Sequence, residues 1–179
     1  PASINIVLNQ LAIAYGQATN TFAVTECSTA IAQTSAVAVL TDPTDWIQAI
    51  YEGARQISLN SNYLPTHMVV TPAIWATLGS LVDSTGRPVF PQIGAMNAPG
   101  QLSAANWNGN PLGLVLVVDK DTPTSFMGHA AGPAAGFEFY EQQKGAISVD
   151  VPSTLGRTIA YRGYAASFMA DATKFVKFV

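Results

Sequence analysis

The sequence predicts an α+β fold, with helices in its first half and strands in its second. An apolar stripe at helical spacing marks the first 22 residues, and two Pro-started segments with capping residues follow it. Short apolar or alternating runs typical of strands dominate after residue 113. Because the helices and strands are grouped and do not alternate, a parallel βαβ arrangement is disfavoured. With 179 residues, the chain can bury one core or two small intertwined ones.

The first helix is predicted from apolar residues that recur every three or four positions. They are Ile4, Val7, Leu8, Leu11, Tyr15, Ala18 and Phe22. Polar residues such as Asn9 and Gln17 fall on other faces of this helix. The pattern ends in the small and β-branched residues 35–40.

Two more helices are predicted from their start signals. Asp42 is an N-cap before Pro43, and Thr71 is an N-cap before Pro72, which lets each proline occupy the first helical position. The first of these helices ends near Asn62, and the second reaches about residue 82. The buried stripe predicted for the first is Trp46, Ile47, Ile50, Ala54 and Ile57.

The strands are predicted at residues 67–70, 114–118, 137–140, 146–151, 158–168 and 174–178. The run 114–118 is uniformly apolar, which favours a central place in a sheet. The last strand alternates charged and apolar residues, which favours an edge or half-exposed place. Residues 152–157 are interpreted as a tight connection between two long antiparallel strands. Gly86 is predicted to adopt a positive φ in the turn that follows the third helix.

The low charge content is the most informative feature of the composition. Only 11% of the residues are Asp, Glu, Lys or Arg, compared with about 25% in ordinary soluble domains. We therefore expect much of the surface to be buried against other copies or partners, unless the chain is an Ala/Thr/Ser-rich monomer. The eight basic residues are scattered and the net charge is −3, which argues against sequence-specific DNA binding. No apolar run approaches the roughly 20 residues of a membrane span, and no signal peptide is recognisable.

The sequence shows no convincing catalytic, cofactor or metal motif. Cys27, the single cysteine, could pair with His67 or His129 as a nucleophile, but no orienting residue or oxyanion-hole motif accompanies it. Its small-residue surroundings favour a buried packing role. Asp119 and Asp121 are too isolated from further acidic residues to predict a metal site, and we interpret them as a solvated strand end.

The order of these segments resembles that of tailed-bacteriophage major capsid proteins. The runs HMVVTPAIWATL at 67–78 and VDSTGRPVF at 82–90 resemble a strand, a Pro-started helix and a D-x-x-G-R turn of that family. The run NPLGLVLVV at 110–118 resembles the strand that follows a G-x-P-V motif. The first helix is similar to the spine helix of the family, so the resemblance is to the C-terminal part, which starts at that helix.

This resemblance implies the Hong Kong ninety-seven-type capsid fold and a structural function. It implies a peripheral domain at 1–40 and 129–166, with the spine helix and a long β-ribbon, and an axial domain at 41–128 and 167–179. The expected partners are other copies in pentamers and hexamers, together with scaffold, portal or decoration proteins and non-specifically packaged DNA. The implied location is the virion capsid, after synthesis in the bacterial cytoplasm. Residues 152–157 contain no Asn, so the Lys–Asn cross-link of some relatives is not carried over.

Five residues are candidate contacts between subunits. Residues 86–110 form a long loop with one charged residue, Arg87, and with apolar residues that include Phe90, Met96 and Trp107. We expect this loop at the tip of the axial domain, unless it folds back onto its own domain. Arg157 is the candidate near the three-fold contacts of the family, and a solvated surface arginine is the alternative.

Three other functions remain open at this stage. A shell of an encapsulin-like nanocompartment would share the fold. A small hydrolase would use Cys27 and a histidine, and a sugar- or peptide-binding module would use the loop around Trp107.

Overall fold

The computed structural model describes residues 2–36, 42–90, 111–151 and 156–178. The helices are α1 (Ala2–Ala30), α2 (Pro43–Ser61) and α3 (Pro72–Ser80). The strands are β1 (His67–Val70), β2 (Val115–Val118), β3 (Phe126–Gly128), β4 (Phe137–Val151), β5 (Gly156–Met169) and β6 (Phe175–Lys177). Short 3-10 turns occupy Pro111–Gly113 and Ala172–Lys174. This order confirms the α+β prediction.

The main sheet has the strand order β2-β1-β3-β6. Strand β1 is parallel to β2 and antiparallel to β3, which in turn is antiparallel to β6. One face of the sheet packs against α2 and α3 and forms the larger core. Its most deeply buried large side chains include Trp46, Ile57, Met68, Leu78, Met127 and Val176. Burying each such side chain stabilises the fold by about 1.5–3 kcal/mol.

The prediction that β2 is a central strand is wrong, because β2 is an edge strand among the described strands of the sheet. Its Val115 and Val117 side chains are 49% and 40% exposed. They belong to the face opposite the larger core, where Cys27 and Ile31 of the α1 end pack on Phe126. That second cluster covers β3 and β6 and leaves the β2 valines outside it.

Helix α2 begins and ends where the sequence predicted, because capping residues fix both of its ends. The Asp42 side chain accepts a hydrogen bond from the Thr44 backbone N–H at 2.8 Å. At the other end, Asn62 has a left-handed φ of 59°, and its N–H donates to the Ser58 carbonyl. Ile47 was wrongly included in the buried stripe and is 36% exposed. It follows buried Trp46 directly, and one helical step turns it by about 100° from that face.

Strands β4 and β5 form a separate two-stranded antiparallel ribbon. The pairing runs from Phe137 with Met169 to Val151 with Gly156, which confirms that residues 146–151 and 158–168 are antiparallel partners. The prediction of separate strands at 137–140 and 146–151 is wrong, because β4 is continuous. A bulge between Gln143 and Gly145 interrupts the alternation of side chains that the prediction used.

Helix α1 packs along one face of this ribbon and confirms the predicted first helix. The Tyr15 ring lies against Tyr161 with 5.1 Å between ring centroids, and Phe22 lies 6.4 Å from Phe139. A Cβ atom at Gly163 would overlap the Tyr15 phenol, so the close approach of helix and ribbon depends on glycine there.

The turn after α3 is held by one carboxylate. Asp83 Oδ1 accepts hydrogen bonds from the backbone N–H groups of Thr85 at 2.8 Å and Arg87 at 2.9 Å. The side-chain hydrogen bond from Thr85 is the main cause that lowers the pKa of Asp83. Gly86 has a φ of 80°, as predicted, and no atom lies near the position of a Cβ.

We predict that Gly86→Val destabilises the chain by about 1–3 kcal/mol, because a β-branched residue is strained at positive φ. The cost is conformational, since the site is open. Urea unfolding measures it, and Ser84→Val in the same exposed turn is the matched control. Equal stability of the two variants would contradict the prediction.

We also predict that Gly163→Ala destabilises the chain by about 1–3 kcal/mol, since its methyl group displaces the Tyr15 ring. Tyr15→Leu in the same chain should recover part of that loss, so that a double-mutant cycle shows coupling. Gly16→Ala, on an open side of α1, is the control and should be neutral or stabilising. Additive effects in the cycle would refute the packing argument.

Candidate interaction surfaces

Cys27, His67 and His129 each contact different neighbouring residues. The Cys27 thiol packs among the apolar side chains of the second cluster, and burial raises its pKa to about 12. His67 Nδ1 lies 2.8 Å from the Thr66 hydroxyl, and His129 Nδ1 lies 2.9 Å from the Leu64 carbonyl oxygen. A thiol with that pKa is protonated at neutral pH and is a poor nucleophile.

The acidic pair after β2 links α1 to the main sheet. The Asn20 side-chain amide donates to Asp119 Oδ2 at 2.8 Å, and the Lys120 ammonium lies 2.8 Å from Asp121. Lys120 is the main cause that lowers the pKa of Asp121. Within the described ranges, no three His, Cys, Asp or Glu side chains are grouped as a metal site requires. Asn20 and Asp119 are 99 residues apart, so no local sequence signal indicates this contact.

The face of the ribbon that points away from α1 is rich in exposed apolar side chains. Neighbouring residues of a strand alternate between faces, and Phe139 and Tyr161 occupy the face towards the helix. We call the opposite side the ribbon outer face. Its exposed large apolar residues are Tyr140 at 60%, Ile147 at 43%, Val149 at 57%, Tyr164 at 52% and Phe168 at 61%.

Charged groups lie at two positions along the ribbon outer face. Glu138 accepts a hydrogen bond from the Tyr140 hydroxyl, and this contact raises the pKa of Tyr140. Further along, the Arg162 guanidinium lies 5.2 Å from the Tyr164 ring centroid. The exposed Lys144 lies beside Gly145, the cross-strand partner of Arg162. The two tyrosines therefore lie between an acidic and a basic end.

Helix α1 also exposes apolar residues on the side that the ribbon does not cover. Ile6 and Ile13 are 64% and 53% exposed. A helix that is apolar on several sides is usually covered on several sides. None of the described helices is long and apolar enough to cross a membrane.

Two of the five predicted contact residues, Arg87 and Phe90, have described side chains, and their environments differ. Arg87 is exposed in the turn after α3, whereas Phe90 is buried in the larger core with 3% of its surface accessible. Phe90 therefore follows the alternative in which the start of the loop folds back onto its own domain. Met96 and Trp107 lie outside the described residues, as does the side chain of Arg157. The ribbon outer face and the exposed side of α1 were not identified from the sequence, although strand alternation indicates the former.

Comparison with known proteins places this geometry in a family. A sequence model described as "Phage capsid protein" matches residues 2–178. A structure from Mycobacterium phage Che8 is similar with a TM-score of 0.67 and 16% identity, over 93% of this chain and 60% of that one. A structure from Gordonia phage Cozz has a TM-score of 0.55 and 17% identity, over 83% of this chain and 50% of that one.

A virus-like particle from Pyrococcus furiosus has a TM-score of 0.50 and 11% identity, over 82% of this chain and 56% of that one. No curated protein matches the chain. The chain spans about half to three fifths of the length of these three structures, and at such identities the likeness shows the fold. The fold is the predicted Hong Kong ninety-seven type. Because the family model covers almost every residue, the chain belongs to the phage capsid protein family.

Proposed function

We propose that this chain is a structural part of an icosahedral phage or prophage shell, which self-assembles into pentamers and hexamers around the DNA genome. The observation that carries the proposal is the exposed apolar surface on both the ribbon and α1, in a chain with only 11% charged residues. A monomer rarely leaves so many large apolar side chains in water, whereas repeated contacts between copies remove them from it.

The proposed division into domains follows the two sheets, except that residues 167–169 at the end of β5 fall in the axial domain. The peripheral domain would comprise 1–40 and 129–166, and the axial domain 41–128 and 167–179. Support comes from the packing of α1 on the ribbon and from the pairing of β6 with β3 in the main sheet. On this assignment Arg87, Met96 and Trp107 belong to the axial domain and Arg157 to the peripheral domain.

The proposed role is not enzymatic and needs no cofactor. Packaged DNA would be contacted without sequence preference, because the few basic residues are dispersed. Scaffold, portal and decoration proteins are the further partners expected for such a shell. The mature location is the virion capsid, and synthesis takes place in the bacterial cytoplasm.

Electron microscopy of the full-length natural protein tests the proposal. We expect closed icosahedral shells, and DNA inside particles from infected or induced cells. The double substitution Met96→Ser with Trp107→Ser should lower the shell yield, because it removes apolar contacts at the tip of the axial domain. Arg55→Ala, on exposed α2, is the control.

A full-length protein that folds but forms no shells would contradict the capsid role. An unchanged yield in the double variant would remove only the proposed loop contact. Shells filled with a cargo enzyme and devoid of DNA would favour the nanocompartment alternative.

We predict that the thiol of folded Cys27 hardly reacts with iodoacetamide at pH 8, because burial raises its pKa to about 12. In concentrated urea the same thiol should react readily. Mass spectrometry of the alkylated chain measures both rates. Rapid labelling of the folded protein, or a hydrolytic activity lost in Cys27→Ala, would favour the hydrolase alternative.

A further inference from the structure

The register of the ribbon orders four residue pairs on the ribbon outer face. Glu138 is opposite Phe168, and Tyr140 is opposite Ala166. Gln142 is opposite Tyr164, and Gly145 is opposite Arg162. Directly paired residues share a face, so these pairs form one continuous strip. The strip begins with a carboxylate, continues with tyrosines and ends with a guanidinium.

We propose that this strip binds the same strip of a second copy, face to face, about a two-fold axis that crosses the ribbon between Tyr140 and Gln142. Strand β4 of one copy lies over β4 of the other and runs in the opposite direction. Glu138 of each copy is then level with Arg162 of the other, on the neighbouring strand, and the Tyr140 and Tyr164 rings meet in the centre. A two-fold contact is isologous, so each favourable pair occurs twice.

Charge selects the antiparallel arrangement over the parallel one. In a parallel stack, β4 of one copy lies over β5 of the other, so the two Glu138 side chains are level with each other, as are the two Arg162 side chains. Like charges in contact are unfavourable, whereas the antiparallel stack pairs opposite charges at both ends. Lys144 adds positive charge at the basic end and strengthens the preference.

The side chains at both ends are already positioned within one chain. Tyr140 donates its hydroxyl hydrogen to Glu138, and Arg162 stacks on Tyr164. These contacts hold the charged groups beside the aromatic strip, so little ordering is needed on association. The tyrosines supply apolar area at a low entropic cost.

The size of the strip implies a weak contact. From Glu138 to Gly145 it extends roughly 20 Å along strands that rise about 3.3 Å per residue. A strip that long and two strands wide is smaller than the roughly 800 Å² per partner of a stable interface. For its biological setting the inference rests on the proposed function, since a shell repeats the contact many times and makes weak association effective.

Chemical cross-linking with charge reversal tests the proposal. In a Cys27→Ala background, Gln142→Cys places a thiol near the proposed axis. Sheets packed face to face lie about 10 Å apart, too far for a direct disulfide, so a bismaleimide cross-linker joins the two thiols. We expect cross-linked dimers at low salt, where exposed charges are least screened. Ser148→Cys, whose side chain lies beside Ile4 and Leu8 of α1, is the control and should give few.

Charge reversal then identifies the partner. In the Gln142→Cys chain, Glu138→Arg or Arg162→Glu should each lower the dimer yield about tenfold, since two ion pairs become two like-charge contacts. An equimolar mixture of these two variants should recover the yield, because each end again meets its opposite charge. Glu26→Arg, on exposed α1, makes the same charge change and should have no effect.

Three results would overturn the inference: a Gln142→Cys yield no higher than that of Ser148→Cys, single reversals without effect, or a mixture that does not recover. Recovery in the mixture also excludes misfolding as the cause of the losses. Shell formation by the full-length protein is scored separately. Shells without trapped dimers would refute the strip contact alone, whereas trapped dimers without shells would refute the capsid role alone.

Discussion

The packing of α1 on the ribbon is the interaction on which the rest of the structure depends. A two-stranded ribbon is marginal in water by itself, so β4 and β5 need a second layer. Helix α1, 29 residues and about 44 Å long, is this second layer, and its Tyr15 packs on the ribbon. Near its C-terminal end, Cys27 packs against side chains of the main sheet. Asn20 adds a polar link to Asp119 between these two contacts. One helix thus joins the ribbon to the sheet.

That arrangement leaves part of each element uncovered. The ribbon buries Tyr161 against the helix and leaves Tyr164 and Phe168 on its other face, while α1 leaves Ile6 and Ile13 uncovered. Few charges are present to solvate those surfaces. The described residues therefore leave apolar surface unburied, and under the proposed function contacts between copies would cover it.

Features set by neighbouring residues could be predicted from the sequence, and features set by distant contacts could not. Asp42 and Thr71 marked two helix starts because caps act within three residues. Strand β3 was missed because it has only three residues, between turns. The position of β2 in the sheet and the continuity of β4 depend on which strands pair with each other, and the amino-acid composition of a strand does not reveal its partners. At the candidate site, alternation alone could have indicated the ribbon outer face, but α1 decides which face is exposed.

Hydroxyl-radical footprinting of the free chain and of assembled full-length shells shows whether assembly buries the exposed apolar side chains. We expect Tyr140, Tyr164, Phe168 and Ile13 to be oxidised in the free chain and strongly protected in shells. Trp46, buried in the larger core, should stay protected in both states and serves as the internal reference. Equal oxidation of these exposed residues in free and assembled protein would contradict the claim that assembly completes their burial.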